Sequence, residues 1–213
     1  MLLQARHVNF SYGSETIFND FSFAVERGER VVLKGESGGG KTTLMRLLLG
    51  FETPDSGTLE FQGTPLEGSN LKEFRRQCAW LPQDLNIGTG TVDEVIRFPF
   101  GFRDSGNQMP AEKQIIDILS DLGLDSDILR KDFADLSTGQ RQRTGIALCI
   151  LLDKPVLLLD EPTSALDEAS KEKAADHIFS DPDRTILSTS HDPFWIDKCD
   201  RIIDLDSDTE DAS

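Results

Sequence analysis

The chain has 213 residues, 38% of them hydrophobic, and a formal net charge of −16. This length fits one domain, or one domain that carries a small inserted subdomain, and the apolar content suffices for a buried core. A chain this acidic repels nucleic acid, so we expect no nucleic-acid partner. No apolar run approaches the ~20 residues that span a bilayer, and residues 1–6 lack the layout of a signal peptide. Both observations predict a cytoplasmic protein.

The first part of the chain is predicted to contain short strands, turns and one helix. Alternating apolar residues in 21–25 indicate a half-buried antiparallel strand, and residues 30–33, which contain the apolar run 31–33, indicate a further short strand. A loop over 35–42 opens a helix that runs to about Gly50. The predicted strands of this region are residues 8–10, 21–25, 30–33, 58–61 and 78–81.

Residues 84–135 change in character, because glycines and then apolar residues at helical spacing replace the strand pattern. We interpret this segment as an inserted α-helical subdomain. Beyond it, helix and strand alternate, which predicts a parallel sheet covered on both faces. The predicted elements there are helices over 138–151, 168–179 and 193–198, and strands over 155–160, 185–189 and 201–205. Residues 206–213 are predicted to form a solvated acidic tail.

The cysteines Cys78, Cys149 and Cys199 are odd in number and share no spacing typical of metal ligands. Reduced, mostly buried thiols are the expected state of such a set in a cytoplasmic protein. We therefore predict neither a disulfide nor a cysteine-bound metal.

Residues 35–42, with the sequence GESGGGKT, match the phosphate-loop pattern G-x-x-x-x-G-K-[ST] in full. Glycines let backbone N–H groups turn toward phosphate oxygens, and the following helix presents its positive end to them. In such loops the lysine, here Lys41, neutralises the β- and γ-phosphates, and the next hydroxyl, of Thr42, ligates Mg²⁺. The predicted nucleotide contacts from this segment are Gly35, Glu36, Ser37, Gly38, Gly39, Gly40, Lys41, Thr42 and Thr43.

An all-apolar run over 156–159 precedes Asp160 and Glu161, as expected for a parallel strand buried on both faces. Ligands meet open α/β sheets at the C-terminal ends of their strands. Asp160 is therefore placed to reach Mg²⁺, directly or through water. Glu161, one residue further on, is placed to act as a general base on the attacking water.

Residues 136–140 have the sequence LSTGQ and stand ahead of a helical stretch. Ser137 is a natural helix N-cap, and helix-end amides together with a hydroxyl form an anion site. By itself, the pentad predicts only a capped helix with such a site.

The loop 35–42, the LSTGQ pentad, the strand ending in Asp160 and Glu161, and then His191 occur in that order. In this combination the chain resembles the nucleotide-binding subunit of an ABC (ATP-binding cassette) transporter of a small stand-alone type. The resemblance implies a single ABC ATPase domain over residues 1–213. It implies an α/β fold: a P-loop NTPase core with a parallel sheet, an N-terminal antiparallel β-subdomain and the inserted α-helical subdomain. ATP and Mg²⁺ are the implied ligands.

The resemblance also implies a head-to-tail dimer, because in that family the pentad caps the ATP held by a second copy. Ser137, Gly139 and Gln140 are then predicted to contact its γ-phosphate. Thr138 departs from the family pattern, in which a second glycine is commoner, and its larger side chain bears on how closely two copies meet. Asp167 lies in a stretch that resembles the loop crossing the dimer interface, and it is also a candidate N-cap for the next helix.

Three further residues match single positions of the family. Gln83, after a core strand, resembles the glutamine that touches Mg²⁺ and senses the membrane partner. His191 resembles the histidine that contacts the γ-phosphate, and Tyr12 matches the aromatic residue that stacks on adenine. The implied catalytic set is Glu161, His191 and Gln83, and the implied metal set is Thr42, Gln83 and Asp160.

Residues 98–102, with the sequence FPFGF, leave two alternatives open. The three phenylalanines either pack within the inserted subdomain or form a hydrophobic groove for a helix from a membrane protein. Residues 98–99 and 165–168 resemble small ATPases of a metal (iron) export branch, and the compact size resembles export-type or lipoprotein-type subunits.

The function implied by the resemblance is ATP hydrolysis that drives a separate integral membrane permease. The subunit would lie on the inner face of the membrane and contact it only through that permease. An alternative is an ATPase whose membrane partner transmits force and moves no solute. A soluble ABC ATPase of DNA repair or translation is disfavoured, since the sequence shows no basic surface, coiled coil or second cassette.

Overall fold

The structure, a computed structural model, describes residues 1–102 and 108–205. The predicted acidic tail, residues 206–213, lies outside the described residues. Within the described part of the chain, no helix has the length and apolar character needed to cross a membrane.

The N-terminal part forms an antiparallel sheet of four strands. They are β1 (Leu3–Tyr12), β2 (Glu15–Val25), β4 (Ser56–Phe61) and β5 (Thr64–Pro65), in the order β2-β1-β4-β5. In β1 the buried side chains are Leu3 and Ala5, then Val8 and Phe10, so the alternation shifts by one residue. The shift coincides with a register irregularity at His7, whose φ of 51° is left-handed. The predicted antiparallel β-subdomain is therefore present.

A second sheet has five parallel strands. They are β3 (Arg30–Lys34), β6 (Cys78–Leu81), β7 (Val156–Asp160), β8 (Thr185–Thr189) and β9 (Arg201–Asp204), in the order β6-β7-β8-β3-β9. Every residue of β7 is buried, as its continuous apolar sequence predicted. The predicted parallel sheet is confirmed, and its strands end on one edge.

Helices cover both faces of this parallel sheet. They are α1 (Lys41–Leu48), α5 (Thr138–Leu152), α6 (Glu168–Ile178) and α7 (Pro193–Ile196). Leu157 and Leu159 of β7 belong to one hydrophobic cluster with α5 and α6. Val156 and Leu158 belong to a second cluster, shared with α1 and the antiparallel sheet. Two cores on opposite faces hold the sheet in place.

The segment predicted to be an inserted helical subdomain does contain helices. They are α3 (Val92–Arg97), α4 (Glu112–Asp121) and short 3₁₀ turns at Phe98–Gly101, Ser126–Arg130 and Phe133–Asp135. Thr91 and Glu94 form a capping box that begins α3. Ile96 and Ile115 pack in the cluster that also contains Ile146 of α5. The segment is thus anchored to α5, the helix that begins within LSTGQ.

Two predictions about local structure need correction. The sequence patterns missed β5 and α2 (Gly68–Gln77), because α2 buries Phe74 alone and is polar along most of its length. Of the three phenylalanines in 98–102, Phe100 is buried, whereas Phe98 is 66% and Phe102 is 55% exposed. Packing within the subdomain therefore holds only for Phe100. All three cysteines are free, and Cys149 is buried.

Candidate functional site

The loop over 35–40 runs from β3 into α1 and follows the geometry that its glycines allow. Gly38 and Gly40 have left-handed φ values of 88° and 86°. A Cβ at Gly40 would come within 2.8 Å of the side chains of Ile17 and Phe18. Lys41 Nζ donates to the carbonyl oxygens of Gly35, at 2.7 Å, and Glu36, at 2.8 Å. The lysine therefore lies across the loop that it follows in sequence.

A cleft of 450 Å³ opens beside this loop, where β7 and β8 end. Such a cleft at the C-terminal edge of a parallel sheet is where α/β proteins bind ligands. It brings together most residues that the sequence assigned to phosphate, metal and catalysis. The lining residues are Ser37, Gly38, Gly40, Lys41, Thr42, Thr43, Gln83, Asp160, Glu161, Ser164 and His191.

Asp160 is held by two hydroxyl groups from different elements. Its Oδ2 accepts a hydrogen bond from Thr42 Oγ1 at 2.6 Å, and its Oδ1 accepts one from Thr189 Oγ1 at 2.7 Å. The residue is only 2% exposed. These bonds fix the carboxylate at the wall of the cleft, next to the loop.

The residues predicted to bind Mg²⁺ fit that ion. Thr42, Asp160 and Gln83 all line the cleft and offer oxygen atoms, the donor type that Mg²⁺ prefers. Among residues 1–102 and 108–205, no group of three or more His, Cys, Asp or Glu side chains could hold a metal by itself.

Glu161 follows β7 in a left-handed backbone conformation, with φ 49°. Its N–H donates to Thr189 Oγ1 at 2.8 Å, so the hydroxyl that holds Asp160 also fixes the backbone of Glu161. Burial raises the pKa of the Glu161 carboxyl, and the neighbouring His191 and Lys41 oppose that rise. A carboxylate with a raised pKa is a stronger base than an exposed one.

His191 and Gln83 both reach the cleft. His191 Nε2 lies 3.6 Å from Glu161 Oε1, and the imidazole is more than half exposed. The next residue, Asp192, caps α7 by accepting from the Phe194 N–H and lies 2.8 Å from Lys171 Nζ of α6. The loop that carries His191 is therefore held in place by Asp192, which contacts both α6 and α7.

Tyr12 does not line the cleft. It ends β1 with 44% of its surface exposed, and its ring meets Phe10 edge-on at 4.8 Å. Its hydroxyl donates to Glu52 Oε1 at 3.3 Å. An exposed aromatic ring that packs on a neighbouring ring can stack on a planar base. The role of Tyr12 in adenine binding stays a prediction.

The LSTGQ residues also lie outside the lining of the cleft. Ser137 begins α5, accepts from the Gln140 N–H and receives the Gln140 side chain on its own N–H, so the predicted N-cap is confirmed. A Cβ at Gly139 would lie 2.9 Å from the carbonyl oxygen of Ala165. Asp167 begins α6 by accepting from the Ser170 N–H at 2.8 Å, and this bond lowers the pKa of its carboxyl.

Near the cleft, Thr189 and Gln142 had no predicted role, and Ser164 was predicted only as part of the stretch 164–167 that resembles the interface-crossing loop. Thr189 orders Asp160 and Glu161, Ser164 lines the cleft, and Gln142 bonds to the backbone after Glu161. Thr189 is the last residue of the buried strand β8, and a hydroxyl at a strand end was the available signal. Gln142 offered none, because its contacts lie 19 and 20 residues further along the chain.

The family model for ABC transporters matches residues 18–164, more than half of the chain. The chain therefore belongs to the ABC transporter family of ATP-binding proteins.

Two relatives show how the chain compares in length. It is 32% identical over 207 residues to the "Probable iron export ATP-binding protein FetA" of Escherichia coli (strain K12), covering 96% of this chain and 91% of that protein. It is 32% identical over 209 residues to the "Mesentericin-Y105 transport/processing ATP-binding protein MesD" of Leuconostoc mesenteroides, covering 96% of this chain but 29% of that protein. The chain is thus similar to nearly the whole of one relative and to one part of the other.

A solved structure of an ATP binding subunit of an ABC transporter has the same fold. The TM-score is 0.81 at 26% identity, over 96% of this chain and 85% of that one. The predicted ABC ATPase class and the α/β fold of P-loop NTPases are confirmed, and ATP is the nucleotide of this class. The roles of individual residues stay predictions.

Proposed function

We propose that the chain hydrolyses ATP at the cleft as one of two identical copies and so powers export through a separate membrane permease. The observation that carries this proposal is that the predicted ATP-contacting residues lie in two separate places on the chain. The loop, Asp160, Glu161 and His191 share one cleft, whereas Ser137 lies outside its lining. A γ-phosphate in the cleft of one copy can then be met by Ser137 of another.

In this proposal the loop and Lys41 bind the phosphates. Lys41 Nζ exchanges its present carbonyl partners for the β- and γ-phosphate oxygens, which carry full negative charge. The N–H groups that open α1 face the same oxygens. Thr42, Asp160 and Gln83 would hold Mg²⁺, which would neutralise negative charge on the phosphates. Tyr12 stacks on the adenine.

Glu161 acts as the general base on the attacking water. Its carboxylate accepts a proton from that water as the oxygen approaches the γ-phosphorus, and the bond to the β-phosphate oxygen breaks to give ADP and phosphate. The raised pKa suits this role, because the carboxylate holds the proton it receives more strongly. His191, 3.6 Å from Glu161, is within reach of the γ-phosphate side of the cleft.

The second copy closes the site from outside. Its Ser137, Gly139 and Gln140 face the γ-phosphate with the N–H groups and hydroxyl of a helix start. Asp167, two residues after the Ala165 carbonyl against which Gly139 packs, lies at the interface. Closure of two copies then pulls on a permease that holds them at the inner face of the membrane.

Export is favoured by the similarity to FetA, a probable iron export ATP-binding protein, since the match covers 91% of FetA. The same likeness favours the metal-export branch for the transported cargo. The exposed pair Phe98 and Phe102, whose rings meet edge-on at 5.1 Å, is a candidate surface for the permease.

The proposal is tested by phosphate release from the purified chain with ATP and Mg²⁺. If two copies form the site, activity per chain rises with protein concentration and levels off when dimerisation is complete. We expect the rise at lower concentration in high salt, since each copy carries −16 and salt screens the repulsion. Activity per chain that is constant on dilution, from a species that gel filtration shows to be monomeric, would contradict a shared site.

A further inference from the structure

Gln142 is a buried polar residue in the second turn of α5, and the proposed function gives it no role. Its side chain is almost wholly enclosed, with 3% of the residue exposed. Burying an amide costs free energy unless hydrogen bonds replace those lost to water. Its Nε2 donates to the carbonyl oxygens of Glu161, at 3.1 Å, and Pro162, at 2.9 Å.

The accepting carbonyls belong to the turn that carries the general-base candidate. Glu161 has a left-handed φ of 49°, which a glutamate adopts only when its surroundings hold it there. Thr189 accepts from its N–H, while Gln142 and Ser164 donate to its carbonyl. Gln142 is the member of this set that comes from α5.

The start of α5 packs on the same turn from a second direction. Gly139 leaves no room for a side chain, because a Cβ there would lie 2.9 Å from the Ala165 carbonyl. Ser137 and Gln140, on either side of Gly139 in the sequence, form the capping box of this helix. The helix start and the loop from Glu161 to Ala165 are therefore joined by one close backbone approach and by the two bonds of Gln142.

We propose that Gln142 is a positioning residue that holds the backbone of Glu161 and ties it to the helix start carrying Ser137. This inference rests on the proposed function, in which Glu161 serves the ATP of its own copy and Ser137 serves that of the partner. Gln142 then links the two ATP sites of a dimer, because a shift of α5 at one site moves the base of the other.

The test replaces Gln142 with methionine, which has similar length but no N–H donor. We expect kcat to fall by about 10- to 100-fold, since ~1 Å of misplacement can cost about 100-fold. The apparent KM for ATP should change less than twofold, because Lys41 and the loop are untouched. If the wild-type rate depends cooperatively on ATP, the Hill coefficient should fall toward one in Gln142→Met. Rates are normalised to the ATP-binding sites titrated in each sample, so unfolded protein does not count.

Two further variants separate positioning from general damage. Gln77→Met makes the same substitution at an amide that contacts Glu73 on the surface of α2, and it should behave as wild type. Gln142→His retains an N–H donor at similar reach, and it should recover part of the lost kcat. If the methionine variant does not fold, the kcat and KM of Gln142→His are compared with those of wild type instead.

A kcat within twofold of wild type for folded Gln142→Met would overturn the proposal. So would a rise in KM that matches the fall in kcat, or a histidine variant as slow as the methionine variant. A different outcome would contradict the proposed function itself: wild-type chain that releases no more phosphate than the Lys41→Ala variant.

Discussion

The cleft at Asp160 and the start of α5 differ in what their polar groups face. In the cleft, Thr42 and Thr189 already hold both carboxylate oxygens of Asp160. At the start of α5, Ser137 and Gln140 bond to each other's backbone, and Ser137 is exposed. In the proposed function, the first region binds the ligand of its own chain. The second is an exposed helix end that would meet the anion bound by another copy.

The comparison predicts that cleft variants abolish chemistry in each copy. Lys41→Ala should remove hydrolysis to the background level, because Lys41 is the cation that lines the cleft beside the phosphate loop. Phosphate release and ATP binding are the measurements, and Lys72→Ala on the exposed face of α2 is the control. Activity of Lys41→Ala within threefold of wild type would contradict the loop assignment.

Glu161→Gln should separate chemistry from assembly. Hydrolysis should fall by about 10²- to 10⁴-fold, the usual contribution of a positioned base. ATP and Mg²⁺ binding should persist, so the variant should collect as an ATP-bound dimer at high salt, while wild type without nucleotide stays monomeric. Gel filtration with ATP decides this. Normal hydrolysis by the variant would move the role of base to His191 or Gln83.

Ser137→Ala should affect the other region alone. Removing one donor from a charge-stabilising site can cost about 100-fold in kcat, whereas ATP binding to the monomer should be unchanged. The loss of an N-cap also destabilises a helix by about 1 kcal/mol. Thr91→Ala is the matched control, because Thr91 makes the same kind of capping box at the start of α3. Equal losses of activity in both variants would mean that Ser137 acts only as a cap.

Thr138→Gly should have a smaller effect, confined to association. Thr138 is the first residue of α5 and is exposed, so its side chain lies where a second copy would approach. If it crowds that contact, the glycine variant should dimerise at lower ATP concentration. Light scattering with ATP measures this, and unchanged association would mean that the side chain points away from the phosphate.

Local patterns predicted most of the cleft. The loop 35–42 and the apolar run before Asp160 carry signals within a few residues, because phosphate binding needs adjacent N–H groups and a doubly buried strand needs continuous apolar sequence. Gln142, in contrast, acts through carbonyls 19 and 20 residues away. Contacts that depend on how α5 packs leave no local pattern.

The exposed and weakly apolar parts of the fold were harder to predict for a related reason. Helix α2 buries Phe74 alone, so its sequence looks like a loop. Phe98 and Phe102 are exposed although they have the same residue type as the buried Phe100, and residues 98–102 carry no sequence pattern that distinguishes the three. Residue type predicts burial only where a period ties it to one face.

The smallest predicted effect concerns stability, and it compares two glutamates whose pKa values shift in opposite directions. Burial raises the pKa of Glu161. At Glu29 burial also acts to raise the pKa, but the hydrogen bond from Arg201 and the Glu26 N–H outweigh it, and the pKa is lowered. The ionised form is thus disfavoured by folding at Glu161 and favoured at Glu29.

The signs of the two substitutions follow. Folded protein holds the Glu161 proton more tightly than unfolded protein does, so stability falls as pH rises through its folded pKa. Glu161→Gln, which stays neutral, should therefore melt at a higher temperature than wild type at pH 7, and the gain should vanish below the unfolded pKa of 4.5. Glu29→Gln should melt lower at pH 7, and its deficit should shrink as acid protonates wild-type Glu29. Thermal melts without nucleotide from pH 4 to pH 8 measure both. A melting point of Glu161→Gln below that of wild type at pH 7 would contradict this prediction. It would mean that the ionised carboxylate stabilises the empty cleft, whereas burial of Glu161 should disfavour the ionised form.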